Sequence, residues 1–193
     1  MGKVIDKIEL RRQLLSTRQS MSDFDWRQKS LRICENLLTS CLFRQAETVI
    51  AYFSFRKEPD LSYLFSNTNH QHINWGFPRC VGNSLVWHLW KQNDKLAIGK
   101  YGITEPLADA PMIEAAKVDL ILVPCVACDY QGYRLGYGGG YYDRFLTMAG
   151  WEEKPTIGII FDFAFLPQLP IDPWDKKLDA VCSEIDFRNL STI

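Results

Sequence analysis

Residues 119–144 of the chain read DLILVPCVACDYQGYRLGYGGGYYDR, and most of the fold prediction depends on them. The first ten of these residues are apolar on both faces, as in a central strand of a parallel sheet. Five glycines then fall between Gly132 and Gly140, and a helical pattern follows from Tyr141 to Met148. A buried strand, a glycine-rich loop and a helix in this order predict an α/β protein.

Periodic patterns on either side of this stretch predict the remaining elements. An amphipathic helix with a basic stripe is predicted from Val4 to Arg18, and a second helix from about residue 23 to residue 41. Asp60 is expected to cap a short helix that runs through Phe65. Strands are predicted at residues 48–55, 73–77, 85–90 and 156–163, with an edge strand at 180–187.

These elements predict one domain. We expect a single three-layer α/β domain over residues 1–193, with a mostly parallel central sheet flanked by helices. Open α/β sheets bind ligands at the carboxyl ends of their strands. We therefore expect the ligand site at the end of the strand that begins at Leu120.

Composition limits the classes of partner. Lys and Arg total 22 and Asp and Glu total 23, so the net charge of -1 provides no general field for a nucleic acid or an anionic membrane. No apolar stretch is long enough to span a bilayer, and the segment from Met1 to Arg12 has no secretion signal. The six cysteines follow no disulfide spacing. We expect a cytoplasmic monomer that binds neither nucleic acid nor membrane.

The glycine-rich segment is the candidate anion site. Glycine allows positive φ and a close approach of the backbone, so successive N–H groups before a helix can bind phosphate. The alternative is a tight turn that needs glycine only to bend, but five glycines with Arg134 among them favour a ligand. The segment is neither a P-loop, since no Gly-Lys-Ser/Thr occurs, nor a Rossmann turn, since Tyr141 stands where the third glycine belongs.

Cys125 and Cys128 form a C-x-x-C pair, which is typical of a redox or zinc site. No second pair accompanies them, and the chain has only three histidines. Because residues three apart on one strand point to opposite faces, we expect the two thiols to be separated. This interpretation disfavours a metal or redox site.

The run from Leu120 to Arg144 resembles the signature of the 5-formyltetrahydrofolate cyclo-ligases, also called methenyltetrahydrofolate synthetases. Shorter matches lie in the family's order along the chain, so the resemblance spans nearly all of it. They are KIELR at 7–11, Lys57-Glu58, FPR at 77–79, YGITEP at 101–106 and DKKLD at 175–179. Cys125, Cys128 and Pro59 depart from the residues that the family most often has at these positions.

The resemblance implies the reaction. Members of this family close 5-formyltetrahydrofolate to 5,10-methenyltetrahydrofolate and cleave ATP to ADP and phosphate with Mg²⁺. Phosphorylation of the formyl oxygen gives N10 a phosphate to displace, since oxide or hydroxide leaves poorly. Phosphoryl transfer depends mainly on positioning and on cancelling charge. The folate substrate is expected in free or polyglutamylated form.

The resemblance also implies site residues. Arg134 and Tyr141 are the expected catalytic residues, Asp143 and Asp175 the expected Mg²⁺ ligands, and Glu58 and Phe53 the pterin-side residues, with Tyr137 and Tyr141 stacking on rings. Lys7 and Arg11 share one helical face and can bind two oxygens of one triphosphate. The whole expected ATP site comprises Lys7, Arg11, Arg134, Leu135, Gly136, Tyr137, Gly138, Gly139, Gly140, Tyr141 and Tyr142.

Two other functions stay open on the sequence alone. The first is an ATP-dependent phosphotransferase that keeps the glycine loop and acts on a different acyl or amide acceptor. The second is a catalytically inactive nucleotide- or folate-binding protein. Tyr52, Trp87, Tyr101 and Tyr142 are further candidates to stack on a ligand ring, although most aromatic residues of a chain like this one lie in the core. His88 is expected to be a hydrogen-bonded, half-buried histidine.

Overall fold

The computed structural model describes residues 6–66 and 72–190. The helices of this part are α1 (Lys7–Ser20), α2 (Asp23–Thr39), α3 (Cys41–Arg44), α4 (Ser62–Ser66) and α5 (Tyr141–Phe145). The strands are β1 (Thr48–Ile50), β2 (Asn74–Val81), β3 (Ser84–Trp90), β4 (Leu96–Ile98), β5 (Thr104–Pro106), β6 (Leu120–Pro124), β7 (Ala127–Asp129), β8 (Arg134–Leu135), β9 (Thr156–Ile159), β10 (Phe165–Leu166), β11 (Ala180–Cys182) and β12 (Phe187–Asn189). The predicted helix start at Val4 lies outside the described residues.

The main sheet has seven strands in the order β12-β11-β9-β6-β1-β2-β3. The five strands from β11 to β2 are parallel to one another. The edge strands β12 and β3 each pair antiparallel with the strand beside them. The predicted mostly parallel sheet is therefore confirmed.

Both faces of the sheet are buried, which explains the apolar runs in its sequence. Along β6, Leu120 and Leu122 pack with α2, α3 and α4, whereas Ile121 and Val123 face the opposite layer. That opposite layer contains Phe145 of α5, part of α1 and the small sheet β10-β7-β8. The three-layer α/β class is confirmed, with strands as well as helices in one outer layer.

Several element boundaries differ from the predictions. The strand predicted at 119–128 stops at Pro124, which has no N–H for the ladder, and resumes as β7 in the small sheet. The predicted edge strand at 180–187 is a hairpin: β11 pairs inside the sheet with β9, and only β12 forms the edge. The strands predicted at 48–55 and 156–163 end at Ile50 and Ile159, and the helix predicted at 141–148 ends at Phe145.

The break at Pro124 also corrects the prediction for the C-x-x-C pair. Cys125 and Cys128 do not alternate on one strand, and both thiols are buried in the same apolar cluster instead of on opposite faces of the sheet. Burial raises the pKa of the Cys128 thiol well above its usual value, and the neighbouring Cys125 thiol raises it further. The thiol therefore stays protonated near neutral pH.

Among residues 6–66 and 72–190, no helix is long and apolar enough to cross a membrane.

Candidate functional site

A cleft of about 730 Å³ opens at the carboxyl ends of β1 and β6, where the sequence predicts the ligand site. Helix α1, the segment after β1, Pro124 and the glycine loop contribute to its walls. Every predicted site residue lines this cleft. They are Lys7, Arg11, Phe53, Glu58, Arg134, Leu135, Gly136, Tyr137, Gly138, Gly139, Gly140, Tyr141, Tyr142, Asp143 and Asp175.

The glycine loop (residues 136–140) follows the short strand β8. Gly138 and Gly140 have φ of 93° and 69°, which side chains other than glycine rarely adopt. Gly136 has no positive φ, and a Cβ there would meet only a guanidinium nitrogen of Arg134, 3.8 Å away. Backbone bending therefore requires glycine at Gly138 and Gly140 but not at Gly136. The absence of a side chain at Gly136 favours a ligand that approaches the backbone closely.

Arg134, on β8 directly before the loop, is a buried cation with 4% of its side chain exposed. Its Nη2 donates to Asp143 Oδ1 over 2.7 Å. Its buried Nε has no hydrogen-bond partner among the described residues. A buried donor without an acceptor is unfavourable, so an anionic ligand would complete this guanidinium.

Helix α1 brings two more cations to the cleft. Arg11 Nε donates to the Gly136 carbonyl over 2.7 Å, and its guanidinium lies beside Gly138. Lys7 Nζ lies 2.6 Å from carboxylate oxygens of both Asp172 and Asp175. Burial lowers the pKa of Lys7, but the hydrogen bonds to these two carboxylates outweigh it and leave the pKa raised. Lys7 and Asp175, expected to bind different groups, are thus paired with each other.

Asp143 and Asp175 are the two candidate metal carboxylates. They suit Mg²⁺ better than a metal that takes all of its ligands from protein side chains. No cluster of three or more His, Cys, Asp or Glu suitable for a metal occurs in the described part of the chain. Mg²⁺ keeps several waters and is usually held by one or two carboxylates together with phosphates. Carboxylate oxygens are also the hard ligands that Mg²⁺ prefers.

Tyr141 lies at the mouth of the cleft. Its hydroxyl donates to the Gly82 carbonyl over 3.0 Å and lies 3.2 Å from the hydroxyl of Tyr101. The guanidinium of Arg144 lies 5.2 Å from its ring centre. Since these contacts hold the ring as a wall and occupy the hydroxyl, the geometry favours binding over proton transfer for Tyr141.

A second part of the cleft lining is built around Glu58. Arg56 and Lys57 have φ of 48° and 56°, and this left-handed turn directs the Glu58 side chain back, where Oε2 accepts from the Phe55 N–H over 3.0 Å. Only 5% of Glu58 is exposed. Burial raises the pKa of the Glu58 carboxyl to about 7, although Arg18, the Phe55 N–H and Tyr137 each lower it.

Tyr137 connects this wall to the glycine loop. Its hydroxyl accepts a hydrogen bond from Arg18 Nη2 and lies beside the Glu58 carboxyl, whose pKa it lowers. Burial of the hydroxyl and the charge of Glu58 raise the pKa of Tyr137 to about 12, so the phenol stays protonated beside the carboxylate. Arg18, Glu58 and Tyr137 thus form one hydrogen-bonded and electrostatic unit.

Arg18 and Asp172 are site residues that the sequence analysis does not identify. Arg18 belongs to the predicted basic stripe of α1 and follows Arg11 by seven residues, which puts both on one helical face. This spacing is the available signal for Arg18. Asp172 lies three residues before Asp175, but no local pattern indicates that Lys7 joins them.

The remaining aromatic candidates and His88 lie at the cleft wall or in the core. Phe53 lines the cleft and stacks on Phe77 with ring centres 4.0 Å apart. Tyr52 and Trp87, two of the candidates for ring stacking, are both buried, and Tyr52 also contributes to the cleft lining. His88 is more buried than predicted, with 4% exposed, and its Nδ1 lies 2.7 Å from the Ala110 carbonyl oxygen.

The raised pKa of Glu58 predicts a pH-dependent stability. Because the folded pKa of about 7 exceeds the unfolded value of 4.5, protonated Glu58 stabilises the fold at low pH, and this contribution is lost as the pH rises from about 4.5 to about 7. Relative to Glu58→Gln, we expect the wild-type free energy of unfolding to fall by about 3 kcal/mol across this window. Urea unfolding of both proteins from pH 4 to pH 8 measures the difference, and parallel curves would contradict the assignment.

Comparison with known proteins gives one consistent result. A family model described as the 5-formyltetrahydrofolate cyclo-ligase family matches residues 3–184. The 5-formyltetrahydrofolate cyclo-ligase of Escherichia coli K12 is 32% identical over 143 residues, which cover 70% of this chain and 77% of that protein. The enzyme of the same name from Haemophilus influenzae is 26% identical, covering 88% of this chain and 93% of the relative.

The solved structures agree with the sequence comparison. The NMR structure of Aquifex aeolicus 5,10-methenyltetrahydrofolate synthetase superposes with a TM-score of 0.86 at 32% identity, covering 97% of this chain and 94% of that one. The match thus includes the sheet, α1 and the glycine loop that form the cleft. The chain belongs to the 5-formyltetrahydrofolate cyclo-ligase family.

Proposed function

We propose that the cleft catalyses the ATP- and Mg²⁺-dependent cyclisation of 5-formyltetrahydrofolate to 5,10-methenyltetrahydrofolate, with release of ADP and phosphate. One observation carries the proposal: a single cleft combines a glycine loop and buried cations with the buried carboxylate of Glu58. The first part suits a polyphosphate and the second suits the donor edge of a pterin. Family membership supports the same reaction.

Residues on the glycine-loop side are proposed to bind ATP. Arg134 lies beside the loop with a buried Nε that has no partner in the described part of the chain, and Arg11 is fixed against Gly136 and Gly138. Backbone N–H groups of residues 136–140 complete the phosphate contacts. Because α5 has only five residues, its dipole adds little, and the cations supply most of the charge stabilisation.

Asp143 and Asp175 are proposed to hold Mg²⁺. Each already lies beside a cation, Arg134 or Lys7, that is itself proposed to contact phosphate. This arrangement places the positive and negative partners of a magnesium–polyphosphate complex in the same cleft. It supports a shared metal and nucleotide site.

Glu58 and Tyr137 are proposed to orient the folate. Ionised Glu58 accepts paired hydrogen bonds from the pterin donor edge, and the exposed part of the Tyr137 ring offers a stacking surface. Phe53 and Tyr141 form adjoining walls. Bound ATP supplies the phosphoryl group that makes the formyl oxygen a leaving group for attack by N10. Arg134 stabilises negative charge that develops during this transfer.

The remaining proposals follow the sequence predictions. We propose that residues 1–193 form one domain that acts as a cytoplasmic monomer on free or polyglutamylated 5-formyltetrahydrofolate. It requires neither a nucleic acid nor a membrane.

The test is a coupled assay on the purified chain. With ATP, Mg²⁺ and 5-formyltetrahydrofolate, we expect the methenyl chromophore to appear together with an equal amount of ADP, and EDTA to abolish both. ADP without the chromophore would mean that the phosphoryl group passes to water or to folate without ring closure, and would favour a phosphotransferase whose natural acceptor is a different molecule. Binding of both ligands without ADP would favour an inactive sensor, and either result would overturn the proposal.

A further inference from the structure

Arg18 is a buried cation on the folate side of the cleft, with 3% of the residue exposed. Its Nε donates to the Arg56 carbonyl over 3.2 Å, and its Nη2 donates to the Tyr137 hydroxyl. Its guanidinium lies 5.3 Å from the centre of the Tyr137 ring. Its buried Nη1 has no hydrogen-bond partner among residues 6–66 and 72–190.

These contacts join three separate segments. Arg18 lies on α1, Arg56 lies in the left-handed turn that positions Glu58, and Tyr137 lies in the glycine loop. A guanidinium can span them because its nitrogens point in fixed, different directions, whereas an ammonium group cannot reproduce that geometry. Arg18 thus fixes the position of the carboxylate wall relative to the loop.

Arg18 also acts on the charge of Glu58. The titratable side chains that face Glu58 are Arg18 from α1, Tyr137 from the glycine loop, Tyr52 after β1 and Tyr142 from α5. Tyr52 and Tyr142 have strongly raised pKa values because they are buried, so they stay neutral near pH 7. Arg18 is therefore the one charged partner in this set, and its positive charge favours the ionised carboxylate.

We propose that Arg18 is a positioning residue for folate, which holds the Tyr137 hydroxyl against Glu58 and keeps that carboxylate ionised for the pterin. The proposal rests on the proposed function, and it assigns Arg18 to the folate half of the site instead of the nucleotide half. A buried guanidinium with an unpaired nitrogen lowers the stability of the fold. Its presence here therefore agrees with a functional role.

The first experiment measures the carboxyl group directly, without any ligand. The ¹³C NMR titration of the Glu58 carboxyl, assigned by its loss in Glu58→Gln, is recorded for wild type, Arg18→Met, Arg18→Lys and Arg12→Met. We expect Arg18→Met to weaken the acidity of Glu58 about tenfold and Arg18→Lys to restore part of it. Arg12, exposed on the same helix and paired with Glu9, is the matched control, and its substitution should leave the Glu58 titration unchanged.

The second experiment measures binding by calorimetry at pH 7 and pH 9. Arg18→Met should weaken 5-formyltetrahydrofolate about tenfold at pH 7 and about threefold or less at pH 9, where Glu58 is ionised in either protein. ATP affinity should change by less than about twofold. Arg18→Lys retains the positive charge, and its affinity for 5-formyltetrahydrofolate should lie between those of the wild type and Arg18→Met. This variant keeps the test valid if the methionine variant folds poorly.

The outcomes separate the two proposals. An unchanged Glu58 titration in Arg18→Met and Arg18→Lys, or equal losses of folate and ATP affinity at both pH values, would overturn the role of Arg18 while leaving the proposed reaction intact. If the wild-type chain fails to bind folate, the proposed function fails. The titration still decides whether Arg18 controls the ionisation of Glu58.

Discussion

Arg134→Ala should lower kcat for methenyl formation by about a thousandfold, the largest effect expected from any single substitution in the cleft. Arg134 is 4% exposed at its side chain, its Nε is unpartnered among the described residues, and its guanidinium lies beside Gly136 of the glycine loop. A buried guanidinium stabilises developing phosphoryl charge far more than an exposed one, because water screens it less. Stopped-flow or steady-state absorbance of the methenyl product measures the loss.

Loss of folding has to be separated from loss of catalysis in this variant. Removing Arg134 leaves Asp143 without its partner, but the Asp143 side chain is 33% exposed and remains partly hydrated. We therefore expect the variant to stay folded, with a far-ultraviolet circular dichroism spectrum like that of wild type. Arg12→Ala removes an exposed arginine and should retain full activity. Near-normal kcat in folded Arg134→Ala would refute the assignment.

Glu58→Gln should raise the KM for 5-formyltetrahydrofolate about a hundredfold and leave the KM for ATP nearly unchanged. The substitution keeps the size of the side chain but places an amide donor where a carboxylate oxygen accepts. The new amide N–H would then face the N–H donors of the pterin, and two buried donors without an acceptor are strongly unfavourable. Steady-state kinetics at saturating ATP, and then at saturating folate, separate the two KM values.

Glu184→Gln is the matched control for this substitution. Glu184 is also a buried carboxylate, with 6% exposed, but it pairs with Lys29 and lies outside the cleft lining. It should lower stability while both KM values remain near those of wild type. A similar rise in folate KM for both variants would mean that general loosening, not the loss of a pterin acceptor, explains the result.

The fold could be predicted where burial on both faces leaves a simple signal. Strands β6 and β9 are apolar at nearly every position, so their central, parallel place follows from the sequence. The β11–β12 hairpin could not be placed in this way, since three-residue strands carry too little periodicity to show their neighbours. Pro124 is visible in the sequence, but the transfer of the chain into a second sheet depends on tertiary packing.

The candidate site could be predicted where a motif is continuous. The loop from Arg134 to Asp143 and the pair Lys7 and Arg11 are local patterns, and all of them line the cleft. The coupling of Arg18 to Tyr137 joins residues 119 positions apart, and no single sequence reveals such a pairing. The left-handed turn at Arg56 and Lys57 could not be predicted from the sequence either, because residues other than glycine rarely adopt this conformation.

The pairing of Lys7 with Asp172 and Asp175, and of Arg134 with Asp143, has a consequence for how the cleft fills. Its charges already neutralise one another, so a lone divalent cation must compete with a resident ammonium or guanidinium, and a lone polyphosphate must compete with resident carboxylates. A metal–nucleotide complex meets neither obstacle, because it exchanges one set of ion pairs for another. The cleft therefore favours metal and nucleotide arriving together, because the metal offsets part of the triphosphate charge as they enter.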